Sequence, residues 1–189
     1  MLVAGRPRAA PARAEVPVKT GDVVLQTSRS SRSALIRRAS ASPYSHVGLV
    51  EVARDGVFVL EAVQPVSRTA WKTWRARGAG GKVTVLRAKA LDARVLRDVV
   101  TAAKAELGKP YDARYRWDDE ALYCSELVAR AFERGAHLTI GAQQQVKALS
   151  LSPADLALGP KLGIDPEQTL LTPASLAADA HFEVVHSDF

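Results

Sequence analysis

The sequence predicts an α+β domain in which an antiparallel sheet packs against helices. β-rich runs dominate the first half of the chain, the clearest helical patterns lie in the second half, and a last β-rich run closes it. Strands that follow one another, rather than alternating with helices, favour an antiparallel sheet over a parallel one. The 189 residues, 47% of them hydrophobic, are enough for one domain with a sizeable core.

The strands of the predicted sheet begin after Thr20-Gly21-Asp22. This turn signal separates a basic Pro-, Ala- and Arg-rich N-terminal tail over residues 1–19 from a folded domain over residues 20–189. Asp55-Gly56 separates two β-rich runs, and Asp-Gly in that setting is typical of a hairpin. We expect strands over residues 23–26, 46–52, 57–63, 82–87 and 182–186.

The clearest predicted helix follows Asp92, a favoured N-cap residue. Apolar residues recur at helical spacing over residues 95–107, and Gly108 is a helix stop signal. We expect further helices over residues 33–38, 71–77, 124–134 and 142–149, and short helical turns after Ser152 and Thr172.

The charge of the chain is unevenly distributed. The formal net charge is +6, and part of the excess lies in the N-terminal tail. A second basic cluster consists of Arg29, Arg32, Arg37 and Arg38. Such a cluster is usually a solvated surface, and contact with an anionic lipid, polymer or substrate is the alternative. Few aromatic residues lie among these arginines, so nucleic-acid binding by base stacking is not expected.

The N-terminal tail leaves the cellular compartment open between cytoplasm and cell envelope. Ala12-Arg13-Ala14 fits the small-x-small pattern of a signal-peptidase site, but no apolar segment precedes it. An untethered tail is the favoured interpretation, and a trimmed signal peptide that ends near Ala14 is the alternative. No apolar run approaches the roughly 20 residues that span a membrane.

Three residues in different predicted elements could carry nucleophilic chemistry. Cys124, the only cysteine, stands at the start of a predicted helix, where the helix dipole favours the reactive thiolate. His46 opens an apolar strand and is the best candidate for the base. Glu61 lies inside an apolar strand, where a carboxylate needs a partner, and the hairpin places that strand beside the strand of His46. Each residue alone is more often structural.

Several short segments, in their order along the chain, connect these residues to a known family. Together they resemble the permuted papain-like NlpC/P60 superfamily, most closely its YaeF/YiiX group, over about residues 20–180. In the permuted group the cysteine helix follows the strands, as it does here. The segments are Gly21-Asp22-Val23-Val24-Leu25-Gln26, Tyr44-Ser45-His46-Val47-Gly48-Leu49-Val50, Leu60-Glu61-Ala62-Val63, Gly108-Lys109-Pro110-Tyr111-Asp112, Tyr123-Cys124-Ser125-Glu126-Leu127-Val128 and Thr172-Pro173.

The resemblance implies a circularly permuted papain-like fold and a thiol hydrolase mechanism. Cys124 is the implied nucleophile, His46 its base and Glu61 the third member of the triad. The hydroxyl of Tyr111 is implied to help bind the oxyanion. Gln26, at the end of a buried strand near the site, is a candidate polar group of the pocket.

The substrate is less well defined than the reaction. Attack on an amide carbonyl through a thioester is the first expectation, for a small peptide, N-acyl or lipid-like compound. A lipid-directed acyltransferase or esterase and a non-catalytic binding module are the alternatives. No cofactor or metal is expected, because no two histidines share a ligand-like setting. The oligomeric state is left open.

Overall fold

A six-stranded antiparallel sheet forms the centre of the computed structural model, which describes residues 16–189. Its strand order is β4-β3-β2-β1-β5-β8, and β6 and β7 form a separate two-stranded sheet. The strands are β1 (Val23–Gln26), β2 (His46–Ala53), β3 (Gly56–Glu61), β4 (Ser67–Ala70), β5 (Thr84–Ala88), β6 (Gln144–Gln145), β7 (Thr169–Leu170) and β8 (Phe182–Ser187). The prediction of an α+β fold with an antiparallel sheet is confirmed.

Helices cover both faces of this sheet. They are α1 (Ser33–Ala39), α2 (Trp71–Arg77), α3 (Ala93–Lys104), α4 (Cys124–Ala136), α5 (Pro153–Leu158) and α6 (Pro173–Ala177), with 3₁₀ turns at Ala79–Gly81, Val146–Ala148 and Gly159–Leu162. Side chains alternate between the two faces along each strand. Leu25 and Leu49 accordingly pack with α3 and α4 on one face, whereas Val24 and Val50 pack with Trp74 of α2 on the other.

The close packing of α3 against α4 fixes the helix that carries Cys124. The carboxylate of Asp92 accepts hydrogen bonds from the backbone N–H groups of Arg94 and Val95 at 2.8 and 2.9 Å, which confirms its role as N-cap of α3. At the contact with α4, a Cβ atom on Gly135 would lie only 2.4 Å from the Cα atom of Val99. The two helices therefore approach to a distance that glycine alone permits here.

The secondary structure differs from the predictions at two places. The helix predicted over residues 142–149 is wrong: strand β6 pairs there with β7, and a 3₁₀ turn follows. The backbone N–H groups of Val146 and Lys147 donate to carbonyls of Gln168 and Pro166, so tertiary contacts replace the helical pattern. Strand β4 was not predicted, because it is a half-exposed edge strand without apolar alternation.

The first residues that the structure describes pack against the folded domain. Val16 is buried and packs with Trp74, and Val18 is partly buried against the same apolar cluster. Most of the predicted tail, including Ala14, lies outside the described residues. Among residues 16–189, no helix has the length and apolar character that crossing a membrane requires.

Candidate active site

Cys124 is the first residue of α4 and is 5% exposed. The first turn of this helix is held by Glu126, whose carboxylate accepts from the Tyr123 backbone N–H at 3.4 Å and from Arg130 Nε at 2.8 Å. Burial raises the pKa of Glu126 to about 8, against the opposing effect of Arg130. The segment that leads into α4 is bound to the loop that contains Pro110, because the backbone N–H of Leu122 donates to the carbonyl of Pro110 at 3.0 Å.

The imidazole of His46, the first residue of β2, lies close enough to the Cys124 thiol for each group to shift the pKa of the other. Burial opposes the charged form of each group, but their mutual interaction outweighs it. The pKa of His46 rises to about 9, with Glu61 contributing, and the pKa of the Cys124 thiol falls. A thiolate–imidazolium pair is the form that these shifts favour.

Glu61, the last residue of β3, is fully buried and binds the far side of the imidazole. Its Oε2 atom lies 2.5 Å from Nε2 of His46, which leaves Nδ1 of the ring for the cysteine. Oε1 accepts from Thr69 Oγ1 and from Arg77 Nη2, both at 2.6 Å. Burial works against ionisation, yet His46, followed by Arg77 and Thr69, lowers the pKa of Glu61 to about 2. The carboxylate is therefore held ionised and in place.

The sequence did not identify Thr69 and Arg77. Thr69 lies on the unpredicted strand β4, and Arg77 lies at the C-terminal end of α2. The position of Glu61 in an apolar strand did indicate that hydrogen-bond donors must lie nearby, since a buried ionised carboxylate needs them. Nothing in the sequence showed which side chains supply them.

Tyr111 lies close to Cys124 and to a second tyrosine, Tyr115. Burial, together with the charge of Cys124, raises the pKa of Tyr111, and Tyr115 adds to this rise. Its hydroxyl therefore stays protonated and can donate. A protonated hydroxyl near Cys124 is compatible with the predicted oxyanion role, which stays a prediction. Tyr115, with a φ of 56°, was not identified from the sequence.

Gln26 lies opposite His46 in the register of β1 and β2. Its side chain is fully buried, and neither its amide nitrogen nor its oxygen has a hydrogen-bond partner among the described residues. The oxygen occupies space that a Cβ atom on Gly78 would need, at 2.1 Å. Gln26 lines neither of the cavities described below, so a supporting role for it would act through His46 and stays a prediction.

Two cavities of different character meet near Cys124 and His46. The apolar cavity has a volume of about 100 Å³ and includes Cys124 in its wall, which is otherwise formed mainly by aliphatic side chains. The arginine chamber has a volume of about 470 Å³ and includes His46 and Tyr111 in its wall. Ser45 and Ile36 line both.

The predicted basic cluster is divided between this chamber and the surface. Arg29 and Arg32 line the arginine chamber. Arg38 instead binds Asp155 at 3.2 Å, and Arg37 is exposed and lines neither cavity.

Residues 17–186 match a protein family described as permuted papain-like amidase enzymes, YaeF/YiiX, C92 family. The chain belongs to this family. It is 38% identical over 135 residues to an uncharacterized YiiX protein of Escherichia coli K12, which covers 71% of this chain and 67% of that protein. The YaeF/YiiX expectation and the assignment as a papain-like cysteine amidase are confirmed, whereas the roles of single residues stay predictions.

A solved structure of the YaeF/YiiX family has the same fold. The crystal structure of YiiX from Escherichia coli O157:H7, described as a metalloprotein, superposes with a TM-score of 0.85 at 34% identity. The match covers 90% of this chain and 98% of that one.

The described residues of this chain do not fit a metal site, although the Escherichia coli O157:H7 relative is described as a metalloprotein. Within residues 16–189, no three His, Cys, Asp or Glu side chains are grouped so that they could hold an ion. The carboxylate of Glu61 is already bound by His46, Thr69 and Arg77. We therefore assign no metal to this centre.

Proposed function

We propose that the chain hydrolyses an amide whose acyl part is a small apolar group, through a Cys124 thioester. The observation that carries this proposal is the buried grouping of three residues: Glu61 binds the imidazole of His46, His46 lowers the pKa of the Cys124 thiol, and Cys124 lines the apolar cavity. A nucleophile, its base and an orienting carboxylate grouped in this way are the parts that acyl transfer requires.

The reaction starts from the thiolate–imidazolium pair. The Cys124 sulfur attacks the amide carbonyl carbon, and the carbonyl oxygen takes the negative charge. The backbone N–H of Cys124 and the hydroxyl of Tyr111 donate to that oxygen. His46 gives its proton to the amide nitrogen, the C–N bond breaks, and the amine leaves. His46 then takes a proton from water, which attacks the thioester and releases the acid and the thiolate.

The apolar cavity supports a short aliphatic acyl group. An apolar cavity of about 150 Å³ holds benzene, so this one, at about 100 Å³, encloses only a few carbons of an acyl chain. Its wall includes Leu35, Leu149, Leu156, Leu171 and Ile164. Peptide groups buried there would lack hydrogen-bond partners at considerable cost. This favours an N-acyl compound over an extended peptide, so we do not propose the general thiol protease activity that the wider NlpC/P60 resemblance allowed.

An ester with the same acyl group is the second candidate, because the same thioester forms when an alcohol leaves. The apolar cavity favours this candidate as much as it favours the amide. Matched hexanoyl amide and hexanoyl ester substrates distinguish the two by their kcat/KM values.

The test is the detection of the thioester by intact mass after mixing with a hexanoyl amide. Wild type should gain the mass of one hexanoyl group, which hydroxylamine removes, and Cys124→Ala should gain none. His46→Ala should lose turnover, whereas His181→Ala, which alters a half-exposed histidine paired with Asp179, should not. Turnover that persists in Cys124→Ala or at full rate in His46→Ala would contradict the proposal.

A further inference from the structure

We infer that the arginine chamber is the leaving-group subsite and that it selects an amine carrying a carboxylate or phosphate. This inference rests on the proposed function, since it names the half of the substrate that the apolar cavity does not hold. The substrate class is therefore an N-acyl compound with an apolar acyl group on one side of the scissile bond and an anionic group on the other.

The positions of the two catalytic groups assign the two cavities. The acyl carbon becomes bonded to the Cys124 sulfur, so the acyl group lies on the side of the cavity that Cys124 lines. The leaving nitrogen must receive its proton from His46, so the amine lies on the side that His46 lines. Ser45 and Ile36, which line both cavities, mark the junction where the scissile bond would lie.

The positive charge of the chamber wall favours a leaving group with a negative charge. Three arginines line it, Arg29, Arg32 and Arg77, and its described lining contains no Asp or Glu. Arg77 is occupied by Glu61. Serine hydroxyls and the side chain of Gln64 supply further polar groups. A guanidinium binds carboxylate or phosphate through paired, charge-assisted hydrogen bonds, and these are stronger than neutral ones.

Arg29 and Arg32 are exposed arginines of the chamber wall, and no ion pair within residues 16–189 involves them. Exposed arginines outside the chamber, such as Arg37 and Arg54, lack an ion pair as well, whereas carboxylates bind several other arginines. Those pairs include Arg38–Asp155, Arg68–Glu51, Arg75–Asp188, Arg77–Glu61, Arg87–Asp22, Arg130–Glu126 and Arg134–Glu106. Two cations that face a shared chamber without a protein carboxylate are available for an anionic ligand.

The loop that carries these arginines is fixed to the catalytic strand. Ser45, the residue before His46, accepts from the backbone N–H of Ser28 at 2.8 Å. Its hydroxyl also lies 2.7 Å from the hydroxyl of Ser33. Arg29 and Arg32 lie between these two anchor points, so the stretch of backbone that carries them is held beside the chamber.

The test uses N-hexanoyl amides that share one acyl group and differ in the charge of the amine. The amines are glycine, aminomethylphosphonate, uncharged glycinamide and cationic ethylenediamine. We expect kcat/KM for each anionic amide to exceed that for the glycinamide by on the order of tenfold. The cationic amide should be the poorest substrate. The relative rates of the glycine and phosphonate amides show which anion the chamber prefers.

Variants connect this preference to the two arginines. In Arg29→Gln/Arg32→Gln, the ratio of kcat/KM for the glycine amide to that for the glycinamide should fall towards one. In Arg37→Gln, which removes an exposed arginine of α1 outside the chamber, the ratio should stay at its wild-type value. The wild-type ratio should also decrease as ionic strength rises, because salt screens the interaction of exposed charges.

The outcomes separate this inference from the proposed function. Equal turnover of the anionic and neutral amides by wild type, with thioester formed from both, would overturn the leaving-group assignment and leave the proposed function intact. A ratio that stays at its wild-type value in the double arginine variant would do the same. Absence of the Cys124 thioester and of turnover with every amide would overturn both.

Discussion

Arg77 donates through Nη2 to both carboxylate oxygens of Glu61, at 2.6 Å to Oε1. The side chain of Arg77 is 43% exposed, whereas that of Glu61 is fully buried. One side chain of α2 thus neutralises the carboxylate that binds the imidazole of His46 from the far side. The catalytic centre therefore depends on both faces of the sheet, since Cys124 belongs to the helix layer on the opposite face.

We expect Arg77→Ala to lower kcat/KM by about tenfold, because Glu61 loses a charged donor that keeps it ionised and oriented. The pKa of Glu61 should rise, so the acidic limb of the pH–rate profile should move to higher pH. Lys72→Ala, an exposed cation on the same helix, is the matched control. A rate loss in Arg77→Ala without any change in the pH profile would show that Arg77 does not act through the ionisation of Glu61.

The pH dependence follows from the catalytic pair. The pKa of His46 is raised from 6.5 to about 9, so the imidazolium is present below that value and is lost as pH rises through it. Turnover should therefore fall above about pH 9, whereas alkylation of Cys124 by iodoacetamide should persist there, because the thiolate remains. His46 should also contribute stability fully below pH 6.5, and this contribution should disappear as pH approaches 9.

Glu61→Gln checks the origin of this shift, because it removes the buried carboxylate that helps to raise the pKa of His46. The alkaline limb of the pH–rate profile should then move to lower pH. An unchanged limb would show that the limb reports a group other than His46.

Tyr111→Phe should lower kcat by roughly 100-fold with little change in KM, because an oxyanion donor acts on the transition state and not on the bound substrate. Steady-state kinetics with the hexanoyl amide measures this. Tyr44→Phe removes a hydroxyl that lies 2.9 Å from Thr84 Oγ1 and serves as the control for loss of a tyrosine hydroxyl. A wild-type kcat in Tyr111→Phe would assign the oxyanion to other donors.

Leu156→Trp should shift the preferred acyl group to shorter chains, because Leu156 lines the apolar cavity and a larger side chain reduces its volume. The kcat/KM values for acetyl, butanoyl, hexanoyl and octanoyl amides of one amine give the profile. Ala157→Trp adds the same side chain at an exposed neighbour that does not line the cavity. If both variants keep the wild-type profile, the acyl group does not occupy this cavity.

Local patterns predicted the parts of the site that belong to regular elements. The strand of His46, the hairpin to Glu61 and the helix beginning at Cys124 follow from apolar periodicity and turn residues, and the order of segments supplied the family. Thr69, Arg77 and Tyr115 reach the site through contacts that no local pattern encodes. The same reason explains the wrong helix over residues 142–149, where pairing with a distant strand replaces a local preference.

The division of residues between the two cavities also determines how the specificity of this enzyme can change. Leu156 belongs only to the wall of the apolar cavity, and Arg32 belongs only to the wall of the arginine chamber. Substitutions at these two positions can therefore alter each half of the substrate independently. Ile36 belongs to both walls. A single replacement of Ile36 therefore changes the preference for the acyl group and the preference for the leaving group together.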